Sequence, residues 1–164
     1  MKSSLALKSI LSTILLPGVS TVFIPYLILV KSGAVEWPAV SILNILAFIA
    51  GLLGTVVLLQ CICSFAVHGK GTLAPIDPPK QLVVCGIYRH TRNPMYLAVM
   101  AMLLSEAVLF RSMVILVYAL AGLVILHVFV VEVEEPKLRR LFGQGYIEYC
   151  RSVPRWGFVR RPFG

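Results

Sequence analysis

Between Gly86 and Tyr96 the chain reads GIYRHTRNPMY, which sets Tyr88, Arg89, His90, Arg92 and Tyr96 against a long apolar run. Guanidinium groups bind carboxylates and phosphates, imidazole moves protons near neutral pH, and tyrosine offers an aromatic face and a hydroxyl. A second polar cluster, EVEEP, places Glu132, Glu134 and Glu135 ahead of Pro136 and leads into LRRLFGQGYIEYCRSVPRWG. Carboxylates in such a place accept hydrogen bonds from the hydroxyls or amine of a polar ligand. They also have a structural account: with Pro136 as the first helical residue after a break, Glu134 and Glu135 face the positive end of a helix dipole. The four cysteines, Cys61, Cys63, Cys85 and Cys150, form no CxxC pair and lack zinc-site spacing, so they read as structural thiols, with no metal.

The elements that position these clusters are membrane segments. Hydrophobic residues make up 59% of the chain and charged residues 13%, and the mean hydropathy of +0.90 is too high for an ordinary soluble domain. Four apolar stretches stand out, Leu11 to Val30, Trp37 to Val67, Pro94 to Phe110 (broken by Glu106) and Ser112 to Val131. Lipid offers no partner to a free backbone amide, and these runs lack the alternation of barrel strands, so the fold class is an all-α integral membrane protein. The predicted architecture is one membrane domain, 1–164, with spans at about 9–31, 38–67, 94–110 and 112–133. Only Arg111 separates the last two, which predicts a tight helical hairpin with its tip near the far face. Lys2 and Lys8 ahead of an apolar run also suit a signal peptide, but no small-x-small cleavage site follows, and a retained span is the better reading. Pro17 and Pro25 are expected to kink it.

Thirteen of the fifteen basic residues flank one end of these spans, leaving Lys31 and Arg111 for the other. The positive-inside rule then places both termini and a cofactor-sized loop, 68–93, in the cytoplasm, with the protein in the cell membrane. A basic rim against anionic membrane lipids accounts for the net charge of +8 without nucleic acid. The loop HGKGTLAPIDPPKQLV is too interrupted by Gly and Pro to be a regular helix and reads as an extended strap. A plain connector is the simpler alternative, although connectors between helices are usually shorter. In the tail, 136–164, Leu138, Leu141, Phe142, Tyr146 and Tyr149 recur at helical spacing and mark an amphipathic helix on the bundle or membrane surface. Glu106 reads as an interfacial acid near Arg111. His127, two turns before Glu134, either packs or looks into the same cavity.

These blocks resemble the integral-membrane methyltransferases that include isoprenylcysteine carboxyl methyltransferase and the phospholipid N-methyltransferases. Three of them carry the resemblance over about the last hundred residues: GKGTLAPIDPPKQLVVCGIYRHTRNPMYL, EVEEPKLRRLFGQGYIEYC and the closing VPRWG. The resemblance implies a helical bundle that encloses S-adenosylmethionine at its cytoplasmic end, yields S-adenosylhomocysteine, and admits a lipophilic acceptor sideways from the bilayer. By matching positions it assigns the cofactor to Lys80, Gln81, Leu82, Val83, Tyr88, Asn93, Pro94, Met95, Tyr96 and Glu134. Two departures concern the acceptor: the isoprenylcysteine enzymes have Arg-His-Pro where this chain has Arg92, Asn93 and Pro94, and an arginine where it has Val130.

Methyl transfer from a sulfonium needs alignment and exclusion of water rather than a covalent nucleophile. A carboxylate acceptor needs a cation nearby, for which Arg92 is the candidate, while an amine acceptor needs a proton acceptor, for which Glu135 or His127 are the candidates. The alternatives are lipid N-methylation, an NADPH-dependent membrane reductase of the same superfamily, and a small four-span transporter with Glu106 as its coupling acid. The oligomeric state is not legible.

Overall fold

The computed structural model describes residues 14–33, 40–64, 67, 81–160 and 163. The strap His68 to Lys80, and with it the proposed cofactor residue Lys80, lies outside the described residues. A π-helical stretch, Ile14–Phe23, runs into α1 (Ile24–Ser32), and α2 (Ile42–Ser64) follows. After a 3-10 turn, Gly86–Arg89, come α3 (Pro94–Leu109), α4 (Met113–Phe129), a π-helical turn (Val130–Glu134) and α5 (Glu135–Ser152). The described residues are helical with no strand, and α2 and the continuous helix Met113–Ser152 are long and apolar enough to cross a membrane. Pro17–Ser32 and Pro94–Leu109 are shorter apolar helices. At 1.5 Å per residue, α3 rises roughly 24 Å, less than a hydrocarbon core of about 30 Å.

Both prolines of the first helix lie within helical backbone. Pro17 lies within the π-helical stretch, and its carbonyl accepts the hydroxyls of Thr21 at 2.6 Å and Ser20 at 3.2 Å. Side-chain hydroxyls thus occupy a carbonyl beside the proline that water could not reach in lipid. Pro25 lies at the junction where the π-helical stretch passes into α1, with Phe23 before it in helical conformation.

The main packing surface joins α2 to α3, and α3 in turn packs on α4. Small residues allow the first approach: a Cβ at Gly54 would stand 2.9 Å from the Ala98 carbonyl oxygen, and one at Gly51 would stand 2.6 Å from Ser105 Oγ. Ser105 itself donates to the Ala47 carbonyl at 2.7 Å. Such close backbone contact and polar linkage drive association where lipid removes the hydrophobic incentive. At the hairpin tip, Arg111 takes a left-handed φ of 48°. Its N–H reaches the Val108 carbonyl and the Ser112 N–H reaches that of Ala107, the Schellman pattern that normally uses glycine. Ser112 then caps α4 by accepting from Ile115 N.

The break expected before Pro136 does not occur. Glu134 and Glu135 keep helical angles, and the chain stays helical through Pro136 as far as the kink at Gly143. Proline clashes with the carbonyl four residues back in an α-helix, and the wider π turn ahead of Pro136 opens that stretch of backbone. No helix end therefore lies at Glu134 and Glu135, and the dipole account of these two acids fails. The tail stripe also needs correction at one position. Leu138, Phe142, Tyr146 and Tyr149 pack together, while Leu141 is exposed. Gly143, with φ 53° and ψ −128°, kinks α5 and re-aims the face that follows.

Candidate functional site

Residues 82–85 run extended between two apolar clusters, and alternation sorts their side chains. Val83 and Cys85 join Cys61, Tyr88 and Met95 at the end of α2, whereas Leu82 and Val84 join Tyr146, Tyr149 and Val153 of the tail. The chain then turns through Gly86–Arg89 to Asn93, the residue that precedes α3. Asn93 makes no capping bond to the helix. Its side-chain amide donates instead to the Arg155 carbonyl at 3.1 Å.

One turn into α3, the Tyr96 hydroxyl donates to Glu134 Oε2 at 2.8 Å, which ties the start of α3 to the end of the π turn. Burial holds the Glu134 carboxyl above the ordinary range, with the Tyr96 hydrogen bond opposing it and the charge of Glu135 reinforcing it. The neighbouring Glu135 is only 3% exposed and meets three guanidinium groups. Arg155 grips both oxygens, Nε to Oε1 at 2.6 Å and Nη2 to Oε2 at 2.9 Å. Arg92 Nη1 stands 3.0 Å from Oε1, and Arg139, one turn along α5, stands 3.5 Å from Oε2. Burial alone would raise the Glu135 value, but the Arg155 hydrogen bonds and the charges of Arg92, Arg155 and Arg139 bring it below the ordinary range. Arg92 Nη1 also donates to Cys150 Sγ at 2.7 Å. Two buried polar atoms beside this cluster, Arg92 Nε and Thr91 Oγ1, have no hydrogen-bond partner among the described residues.

The residues assigned from sequence therefore divide by surroundings. Tyr96 pairs with Glu134, Arg92 pairs with the adjacent Glu135, and Asn93 bonds the tail. Val83, Tyr88, Pro94 and Met95 are packing residues of the same rim, Val83 and Tyr88 each 6% exposed. Burial keeps Tyr88 a neutral phenol, its value raised well above the usual one. Leu82 packs on the tail and Gln81 is exposed. His127 does not face Glu134: its Nδ1 accepts the Trp156 indole N–H at 3.0 Å, so the ring packs against the tail. Val130 is 1% exposed, closed within the bundle. A shallow pocket of about 350 Å³ lies on the other side of the loop, between Val84, Cys85, Gly86, Arg89 and Phe163.

Residues 42–145 match the family described as phospholipid methyltransferase. The chain belongs to that family. No curated protein and no solved structure matches it. As a phospholipid methyltransferase family member with two helices able to span a bilayer, it is a membrane protein of a methyl-transferring family. The match takes in α2 to the middle of α5, hence Asn93, Tyr96, Glu134 and Glu135. It stops within the tail, at residue 145, and the residues beyond that point supply a further set of contacts. Arg92 N–H donates to the Pro154 carbonyl at 3.0 Å, Val159 N–H to the His90 carbonyl at 3.0 Å and Phe163 N–H to the Arg89 carbonyl at 3.2 Å. His90 Nδ1 lies 2.8 Å from the Val159 carbonyl, and Arg89 Nε donates to that of Phe163 at 2.7 Å. Sequence reasoning used VPRWG only as a mark of resemblance and assigned none of its residues to the site. The available signal was Arg155 itself, a cation next to tryptophan in a short motif, close in sequence to no acid that would explain it.

Proposed function

We propose that this protein is an S-adenosylmethionine-dependent methyltransferase of the cell membrane, acting on a lipophilic acceptor with a small polar head that enters from the bilayer. The observation that carries the reading is the part-buried Tyr96 to Glu134 hydrogen bond, which sets a carboxylate at the rim of an apolar bundle. In this reading the apolar helices form four spans with the tips of α3 and α4 outside. The basic ends, both termini and the 68–93 loop face the cytoplasm, and α5 lies along that surface.

S-adenosylmethionine, where bound, supplies an electrophilic methyl group on a sulfonium sulfur. The residues present fit such a cofactor: Glu134 accepts from a ribose hydroxyl or an amine, and Tyr96 offers a ring to a cation. Thr91 Oγ1 and Arg92 Nε are buried polar atoms suited to a hydroxyl or carboxylate. Val83, Tyr88, Asn93, Pro94 and Met95 shape the walls. These side chains bind and align the donor and exclude water, the main requirements of a direct displacement.

The lack of an arginine at Val130 favours an amine-headed acceptor, as in phospholipid N-methylation, over a prenylcysteine carboxylate. Arg92 and Arg155 are directed onto Glu135 rather than toward an acceptor, and Val130, buried within the bundle, supplies no cation in their place. Arg92 and Glu135 then act by holding the site in shape, and Glu134, held among the described residues by a hydroxyl and by no guanidinium, is the base that takes the proton an amine releases on methylation.

Calorimetry on the detergent-purified protein tests the proposal. It should bind S-adenosylmethionine and S-adenosylhomocysteine, and Glu134→Gln and Tyr96→Phe should each weaken binding by about 1 kcal/mol or more. Heat with NADPH and none with either sulfur ligand would reject it. Transfer of labelled methyl from the cofactor into a membrane lipid extract, followed by separation of the labelled lipids, then identifies the acceptor.

A further inference from the structure

Three parts of the rim meet at one residue that lies outside the family match. The Arg155 guanidinium makes a two-pronged bond to Glu135, and the Arg155 carbonyl accepts the Asn93 side-chain amide. Its neighbours extend the hold: the Pro154 carbonyl takes the Arg92 N–H, and the Trp156 indole reaches His127 on α4. Val153, just ahead, is 1% exposed and seated among Tyr146, Tyr149 and Leu82. The segment from Val153 to Val159 therefore closes the loop against the helices, with a buried anchor at one end and the His90 pairing at the other. A planar fork bonded to both carboxylate oxygens fixes the direction of Glu135 in a way that a point charge cannot. Glu135 adjoins Glu134 on the same helical turn, and Asn93 stands three residues before Tyr96. Arg155 thus acts on both halves of the Tyr96 to Glu134 pair without touching either.

We infer that Arg155 is a positioning residue for the cofactor site, setting Glu134 through Glu135 and Tyr96 through Asn93. This inference rests on the proposed use of S-adenosylmethionine. The test measures S-adenosylhomocysteine affinity of the full chain in detergent, together with the cofactor-free melting temperature. Absence of binding to the unaltered protein would reject the proposed function. With binding established, Arg155→Gln should weaken affinity about tenfold, the scale of a lost charge-assisted hydrogen bond. Arg155→Lys should remain about threefold weaker than the unaltered chain, because the charge returns without the fork. Adding Glu135→Gln to Arg155→Gln should cause no further loss, since the two act as one unit.

Unchanged affinity in Arg155→Gln would overturn the inference, as would multiplicative losses in the double variant. Should Arg155→Gln fail to fold, Arg155→Lys decides: a threefold loss at unchanged melting temperature supports positioning. Affinity equal to that of the unaltered chain rejects it.

Discussion

Glu134 and Glu135 are adjacent in sequence, yet their surroundings give them opposite electrostatic character. Glu134 shares its buried place with one neutral hydroxyl, and its proton affinity rises; Glu135 is ringed by guanidinium groups, and its proton affinity falls. The sign of the pH effect follows. Because Glu135 holds its proton less tightly folded than unfolded, its contribution to stability is full above the ordinary carboxyl value of 4.5 and is lost as pH falls through the lowered folded value. Glu134, raised in the folded chain, works the other way, and its cost appears as pH rises above 4.5 toward the folded value. Thermal melts from pH 3 to 7 should therefore show an acid limb that Glu135→Gln removes, at the cost of a lower melting temperature near neutrality. An unchanged acid limb in that variant would exclude the Glu135 cluster as its source. Sequence alone assigned Glu134 and Tyr96 by matching positions and named Glu135 as a proton acceptor for an amine. It did not pair them, since 38 residues separate Tyr96 from Glu134, and its dipole account of the two acids assumed a helix end that the fold does not have.

At the scale of elements, the apolar runs specify helices, and the small residues decide how closely those helices meet. Gly54 and Gly122 look alike in sequence, each a glycine within an apolar helix, but their surroundings differ. A Cβ at Gly122 meets only Met100 Cε at 3.8 Å, whereas one at Gly54 meets the Ala98 backbone. Gly122→Ala is expected to be neutral or to stabilise by up to about 1 kcal/mol through helix propensity. Gly54→Ala should destabilise by about 1–3 kcal/mol, as overpacking against backbone does. Melting both variants in the same detergent checks the contrast, and equal behaviour would contradict the α2 to α3 packing. The π turn before Pro136 belongs to this scale as well. Proline in the sequence marks a place where an α-helix cannot continue unaltered, and either a break or a wider turn meets that condition. The packing of Glu134 on Tyr96 and of Glu135 on the arginines accompanies the second solution, with the helix continuous.

For the whole molecule, the proposed orientation puts the α3–α4 tip and the α5 surface on opposite sides of the membrane. Arg111 and Gln144 are both exposed, so single cysteines there, in a chain without its four native ones, test it. An impermeant thiol reagent applied to intact cells should label position 111 and spare position 144; labelling of both from outside would reject the topology. The sequence by itself determined the all-helical class, the membrane setting, the family and the identity of most polar residues at the rim, because these depend on local composition, hydropathy and motif. What it left undecided were the relations between distant segments. That Arg92 is already paired, that His127 faces Trp156, that Val130 is closed within the bundle and that Arg155 reaches Glu135 and Asn93 all depend on how the tail returns over the loop. Pairing of charges at long sequence separation carries no periodic or compositional signature, since each side chain is chosen for a neighbour that only the folded chain supplies.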